Sequence, residues 1–533
     1  MKILSLPLFL VLLVSTAAVA QHAPHAVLSI PQEVLERPVT VRTGVGAVHD
    51  DAGTKSEDAQ RFYNQGLAYL HNYVWIEAAR SFHQALRADA NLALAHVGLS
   101  YAYIELNKTL QARQAIAAAQ KLAAGAGDHV RRHVDARALQ MAAEDAPGDA
   151  AKLAAYRKAL DGAIAAFPND AEFILRRGTA ESPDPADRGQ GSALASIPYY
   201  ERVVKSSATS AAWAANHYLA HAYENAGRMK EAATAAGSYA GANAGVPHAV
   251  HMHGHELRRL GRIQEAIARF ETADKLQRDY MAREKIAAEF DWHHAHNLDL
   301  LAASYQYVGQ MKKAEALLKQ AFNLPTNLLV QAVNKREWPS FLLARNRPGE
   351  ALKAAQTLLS HPSLIVQATG HIESGFAYLA MNRPADGAAA SNAALKAMRS
   401  AQGGQGLAAI ELEALQGEFL LRTAQRDKGR AAIERAAQKW RSLPGPDAWT
   451  QSLFRLEALA RSARAVGDWA LAARMAQVML EHDPNYAGTR YALALVAQNN
   501  GNTATARREF DLAVKAWATA DKDLPELAIA ARR

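Results

Sequence analysis

The sequence predicts an all-α chain, built as a superhelical solenoid of antiparallel helix pairs. Three observations carry that expectation. An internal period of 34 residues relates Tyr69 to Tyr103, Ala78 to Ala112, Gly227 to Gly261, Ala232 to Ala266, Gly467 to Gly501 and Ala472 to Ala506. Within each period, small residues (Gly66, Gly254, Ala78, Ala266) stand where two helices must cross closely, and large ones (Tyr69, Tyr223, Phe82, Phe270) stand where the space between pairs must be filled. A glycine or asparagine closes the first helix of a pair at Asn107, Gly227, Gly261, Gly309, Asn346 and Asn382, the residue types that tolerate a left-handed cap.

The elements follow in order. Residues 1–20 read MKILSLPLFLVLLVSTAAVA: a lysine, an apolar run and an Ala18-Val19-Ala20 ending, the three parts of a cleavable signal peptide. Export to the periplasm or beyond is therefore expected, with a mature chain starting at Gln21. No membrane span is expected after cleavage, because no second hydrophobic run follows, and the apolar run itself is shorter than the ~20 residues an uncleaved anchor would need. The sequence contains no cysteine, so there is no lipoprotein acylation site, disulfide, thiolate ligand or cysteine nucleophile. Residues 21–55 lack helical periodicity and read as an extended lead-in. Residues 56–533 read as the repeat array, with repeats beginning near Ala59, Ala93, Trp213, Pro247, Ala295, Ala332, Ala368, Leu453 and Ala487. The stretches Asp128–Ser210 and Ser400–Trp449 keep a helical pattern with degenerate repeats, and loops are inserted at Ser182–Ser192 and Gly403–Gly406.

Residue usage excludes some functions. Hydrophobic residues at 50% and charged residues at 21% suit a packed chain rather than a disordered one. The 60 basic residues face 52 acidic ones without a long basic block, so nucleic acid is not an expected partner. There is no G-x-S-x-G, phosphate loop or dinucleotide fingerprint.

The period and its residue types resemble the tetratricopeptide repeat, and the resemblance covers most of the mature chain. It implies a concave groove that takes a peptide or a partner's helix.

The chemistry-bearing signal is the placement of histidine. Three segments concentrate it: His217–His221, His248–His255 and His293–His296. His217/His221 and His251/His255 are spaced i, i+4, and His248/His251 i, i+3. On a helix those intervals set two imidazoles on one face about a turn apart, the arrangement needed to share a cation. In the repeat resemblance, the second, fifth, ninth and twelfth residues of each first helix line the groove. That register implies groove positions for His217, His221 and Glu224, for His248, His251 and His255, and for His296 and Asp299, while His253 falls on the packed side.

The same segments resemble an exported bacterial group of tetratricopeptide-repeat proteins carrying HYxxH, HAxHMxxH and HNL motifs, here His217–His221, His248–His255 and His296–Leu298. Asp299 stands where a further histidine is expected after HNL, and a carboxylate there keeps a ligand while hardening the site. The expectation is a transition-metal site, for Zn, Cu or Fe, with His217, His221, His248, His251, His255, His296 and Asp299 as ligands. Should a coordination position stay open, Glu224 is the expected general base toward a metal-bound water. The alternative is a metal-free scaffold whose groove binds peptides or partner helices. His129 and His133, flanked by Arg131 and Arg132, are expected on a solvated face. His71 is expected to pack or cap, and Tyr63, Tyr69, Tyr73 and Trp75 to pack between repeats.

Overall fold

A computed structural model of the chain describes residues 29–191, 194–206, 210–326, 328–401, 406–423, 425–443 and 446–532. The expected signal peptide lies outside the described residues. Antiparallel helix pairs follow one another along the chain, beginning with Glu57–His71 against Trp75–Ala88 and Ala93–Glu105 against Thr109–Ala123. No strand occurs among the described residues, and none of their helices is long and apolar enough to cross a membrane. The fold is a tetratricopeptide-like solenoid. Where the 34-residue signature fades, helices persist: Asp128–Glu144, Ala150–Ala166, Ala171–Thr179 and Ile197–Lys205 bridge the first degenerate stretch, and Gly406–Arg422 and Arg426–Arg441 cross the second.

Crossing distance explains the small residues. A Cβ at Gly66 or Gly98 would come within 2.5 or 2.3 Å of the Phe82 ring, so both helices depend on hydrogen in those places. The turn residues have the expected conformation: φ is 57° at Asn107 and Asn382, 56° at Asn346, 73° at Gly227 and 75° at Gly261 and Gly309. Each closes its helix with the same pair of backbone bonds, as in Gly227 N–H to Glu224 O at 2.9 Å and Arg228 N–H to Tyr223 O at 2.7 Å. Tyr73 is the exception, an aromatic residue held at φ 56° where other repeats use glycine or asparagine.

Among its described residues, the lead-in contains one helical turn, Gln32–Leu35, and then runs irregularly along the first repeats. Side-chain amides hold its backbone: Gln65 accepts from Arg42 N–H at 2.7 Å, Asn72 donates to Val45 O at 2.9 Å, and Gln60 donates to Asp50 O at 2.7 Å. The Trp213 indole donates to Ala47 O at 2.7 Å. Gly46 lies so close to that indole that a Cβ would approach it to 2.4 Å. At the other end, the superhelix brings the last pairs back onto the middle of the array. Trp517, Ala520 and Leu524 pack on Gly309, Asp521 N–H donates to Gly309 O at 3.1 Å, and the Tyr307 hydroxyl donates to Asp483 at 2.7 Å.

Candidate metal centre

Three consecutive first helices position the histidines. Ala212–Asn225 carries His217, His221 and Glu224; Pro247–Arg259 carries His248, His251 and His255; Trp292–Tyr307 carries His293 and His296. The i, i+3 and i, i+4 spacings place each set on one face, and packing of neighbouring pairs brings the faces together. His217 Nε2 stands 3.1 Å from His248 Nε2, and one ligand atom from each of His217, His221 and His248 lies within 4.8 Å of the others. The row continues from ring to ring: His217 to His221 at 5.2 Å between centroids, His248 to His251 at 6.0 Å, His251 to His296 at 4.9 Å and His251 to His255 at 6.4 Å. His217, His221, His248, His251 and His255 are buried, with His217 fully so.

Hydrogen bonds at the far side of the rings decide which nitrogen faces inward. His217 Nδ1 lies 2.7 Å from the His71 carbonyl, an acceptor only, so Nδ1 carries the proton and Nε2 presents its lone pair to His248. His251 Nδ1 lies 2.9 Å from Asn297 Oδ1, whose identity is fixed because Asn297 Nδ2 donates to Phe270 O at 3.0 Å. His293 Nδ1 lies 2.9 Å from Gln277 Oε1, and that amide's nitrogen donates to Asp291. All three imidazoles are therefore held with Nδ1–H outward and Nε2 bare, the pattern by which a protein sets the tautomer of a ligating histidine. Burial drives the pKa of His217, His248, His251 and His293 well below the ordinary imidazole range, and neighbouring imidazoles push the same way. His217, His251 and His293 thus each turn a bare Nε2 inward.

The far end of the row differs in chemistry. Glu224, His255 and Glu256 form a second buried group with ligand atoms within 4.8 Å of one another. His255 Nδ1 is 3.4 Å and Arg259 Nε 3.5 Å from the Glu224 carboxylate. Burial, followed by the adjacent Glu224, raises the Glu256 carboxyl well above its usual range, which favours its protonated form. Asp299 is set apart from these groups. It lines a separate small pocket with Asn334 and Glu337, and burial and then Glu337 raise its pKa. One residue C-terminal to Leu298, it turns toward the following repeat rather than along the histidine row. His253 is half-buried against Gly237, outside the row.

His293 was not singled out as a ligand by the groove register, because it precedes the helix start that register assumed; the helix begins earlier, at Trp292, behind an Asp291 cap. Tyr73 and Trp75 also do more than pack between repeats. The Tyr73 ring sits 4.5 Å from His217 and 5.2 Å from His248, and Trp75 stacks on Trp292 at 5.3 Å. Together with His248 and His293 they wall a cavity of about 530 Å³ that opens beside the row. The left-handed conformation of Tyr73 delivers its ring to that wall. His71 is buried and structural, bonded to Tyr218 at 2.7 Å and Glu172 at 2.5 Å. His129 and His133 depart from expectation. They turn inward toward Asp170, while Arg132 turns outward and pairs with Asp128 at 2.8 Å.

No family model matches the chain, and no curated protein matches it in sequence. Solved structures are similar in general form. The apo form of the quorum sensor NprR from B. thuringiensis is 10% identical with a TM-score of 0.42, over 74% of this chain and 99% of that one. Yeast Tom70 is 12% identical with a TM-score of 0.29, over 90% and 95%. A human IFIT1 dimer with m7Gppp-AAAA is 10% identical with a TM-score of 0.35, over 92% and 100%. Such distant likenesses assign no function.

Proposed function

We propose that this is an exported helical-repeat protein that holds a transition-metal ion in its groove at His217, His221 and His248. His251, His293, His296 and His255 extend the row beside that centre, and Asp299 takes no part in it. The observation that carries the reading is His217: its Nδ1–H is locked on a carbonyl, so a buried lone pair faces a second imidazole nitrogen at 3.1 Å. In a metal-free site that lone pair accepts a proton from His248 Nε2, and a tetrahedral ion with bonds of ~2.0–2.1 Å, which sets its ligands about 3.3 Å apart, fits in the proton's place. Nitrogen ligation without sulfur suits Zn, Cu(II) or Fe. The cavity behind Tyr73 and Trp292 gives a small ligand access to the ion. Glu224 stands beside His255 at the far end of the row, placed to accept a proton rather than to bind the ion held at His217, His221 and His248.

The test is metal content. Tag-free protein, stripped and reconstituted with zinc, should lose one equivalent on changing His217 and His248 together to alanine, with helicity retained. Unchanged zinc in that double variant would falsify the centre.

A second reading, a metal-free groove that binds an extended peptide, is favoured by the lead-in. Residues 42–50 are already held in the groove by side-chain amides in the manner such a peptide needs. Binding of unstructured peptides by metal-stripped protein, undiminished in the double variant, is the result that would select it.

A further inference from the structure

A second convergence of ligand-type side chains lies outside the histidine row, in the first degenerate stretch. His129 and His133 come from the helix Asp128–Glu144, and Asp170 caps the helix Ala171–Thr179. Asp50 comes from the lead-in. One ligand atom from each of the four lies within 4.8 Å of the other three. His129 Nε2 and His133 Nε2 face each other at 3.3 Å, and both point at Asp170 Oδ2, at 2.6 and 3.2 Å. Asp50 Oδ1 stands 3.7 Å from His129 Nε2.

Each carboxylate has one oxygen held by the protein and the other aimed into the group. Asp50 Oδ2 accepts from the Tyr63 hydroxyl at 2.7 Å, leaving Oδ1 toward the histidines. Asp170 Oδ1 accepts from the Phe173 N–H at 3.1 Å, leaving Oδ2. The His133 ring is fixed by stacking on Phe173 at 3.8 Å, and His129 abuts Phe167 at 5.1 Å. The neighbouring Glu172 is tied to His71 and Arg176, at 2.5 and 3.5 Å. The nearby guanidinium of Arg131 stands 3.5 Å from Asp128 on the solvent side.

We propose that Asp50, His129, His133 and Asp170 bind a divalent cation of the zinc type, which staples the lead-in to the array. Two nitrogens and two carboxylate oxygens form a complete tetrahedral set, and two negative charges with two neutral imidazoles balance a 2+ ion. The 3.3 Å between the two nitrogens matches the about 3.3 Å edge of a tetrahedron with bonds of ~2.0–2.1 Å. The ligands come from three segments far apart in sequence, so the ion closes long loops, the service a disulfide performs and which a chain without cysteine lacks. Every coordination position is filled by protein, which makes the site structural rather than catalytic.

The site is independent of the histidine row, and the experiment uses that. The starting protein is the full mature chain carrying His217→Ala and His248→Ala, stripped with a chelator and reconstituted with Zn(II) or Co(II). It should bind one equivalent of zinc, and Co(II) should give the intense visible absorption of a tetrahedral nitrogen–oxygen site. Adding Asp50→Asn and Asp170→Asn should remove both; asparagine at 170 retains the helix cap, so the fold is kept. Trypsin should cleave zinc-loaded protein at Arg42 and Lys55 at least tenfold more slowly than stripped protein, a protection lost in the Asp50→Asn variant. Absence of zinc in the His217/His248 double variant, or equal zinc and equal cleavage with and without the two aspartates, overturns the proposal. Should the quadruple variant fail to fold, the Co(II) spectrum of the double variant alone decides: octahedral or absent overturns, tetrahedral supports.

Discussion

Metal release from the histidine row should follow unfolding rather than imidazole titration. An ordinary imidazole titrates near ~6.5, so at about pH 5.5 protons compete about 11-fold against a metal at each such ligand. For two ordinary ligands the loss is on the order of 100-fold, about 3 kcal/mol. His217 and His248 are not ordinary, because burial and the neighbouring imidazoles hold their pKa well below that range. In the folded state both stay neutral at about pH 5.5, and zinc affinity should fall less than tenfold between about pH 7.5 and that value. The fold, however, responds. A histidine whose folded pKa is depressed binds protons more readily when unfolded. Its neutral form therefore supports the native state fully above about 6.5, and that support is withdrawn as pH falls below it. Each buried imidazole withdraws up to about 1.4 kcal/mol per pH unit, so His217, His248, His251 and His293 together withdraw at most about 5–6 kcal/mol by about pH 5.5. Asp50 and Asp291, both pushed up to about 6 by burial, return part of this, roughly 1 kcal/mol each. The net remains a large share of a typical stability of about 5–15 kcal/mol. The assay is chelator-competition zinc binding across pH, with far-UV circular dichroism and tyrosine fluorescence on the same samples. Zinc release centred near 6.5 with helicity and tertiary signals intact would refute the reasoning, since it requires exposed, ordinary imidazoles.

Three further outcomes are expected. Tyr73→Asn relieves a left-handed tyrosine (about 1–2 kcal/mol) but removes a buried ring worth about 3–5 kcal/mol, so a net loss of about 2 kcal/mol should appear in denaturant melts, with weaker zinc binding. Gly98→Ala drives a Cβ to 2.3 Å from Phe82 and should destabilise the first pairs by about 1–3 kcal/mol, read by hydrogen exchange in Glu57–Glu105. Arg455 pairs in the interior with Glu373 and Glu411; Arg455→Met takes the arginine from Glu373 while Glu411 keeps Arg336, and should cost about 3–5 kcal/mol, recovered in part when Glu373 is also changed to Gln.

The repeat architecture was legible because its determinants are local. Crossing glycines, turn asparagines and the 34-residue period each act within one helix pair, so Asn107, Gly227 and Asn382 marked their turns directly in the sequence. The face of the histidine row was legible for the same reason, through i, i+3 and i, i+4 spacing on helices whose register the period sets. What depended on long-range closure was not legible. Asp299 shares the groove register of its helix, yet the following helix draws it toward Glu337. His129 and His133 read as a solvated face from their arginine neighbours, because nothing local announces that Asp50, 79 residues before His129, and Asp170 meet them. Tyr73 offered one signal: it occupies the turn position where the other repeats place glycine or asparagine. A bulky residue at a left-handed position is a reason to look for what its side chain touches.

The lead-in bears on both functional readings at once. A groove that binds peptides must present amides and aromatic edges to an extended backbone, and Gln60, Gln65, Asn72 and Trp213 do so toward residues 42–50. Those same contacts fill the first superhelical turn, so an incoming peptide there must displace the lead-in or bind further along the array. The histidine row begins where the lead-in ends its path over Trp213, four residues before His217 on the same helix. Removal of residues 21–49 should therefore separate the readings. On the metal reading, zinc at His217, His221 and His248 remains, because none of its ligands or their carbonyl and amide partners belongs to the lead-in. On the peptide reading, the truncated protein gains affinity for an added synthetic peptide of residues 40–53, measured by fluorescence anisotropy. A truncated protein that stays helical but loses its histidine-row zinc would show that the lead-in helps build the metal site, and one that gains no affinity for the peptide would reject the peptide reading.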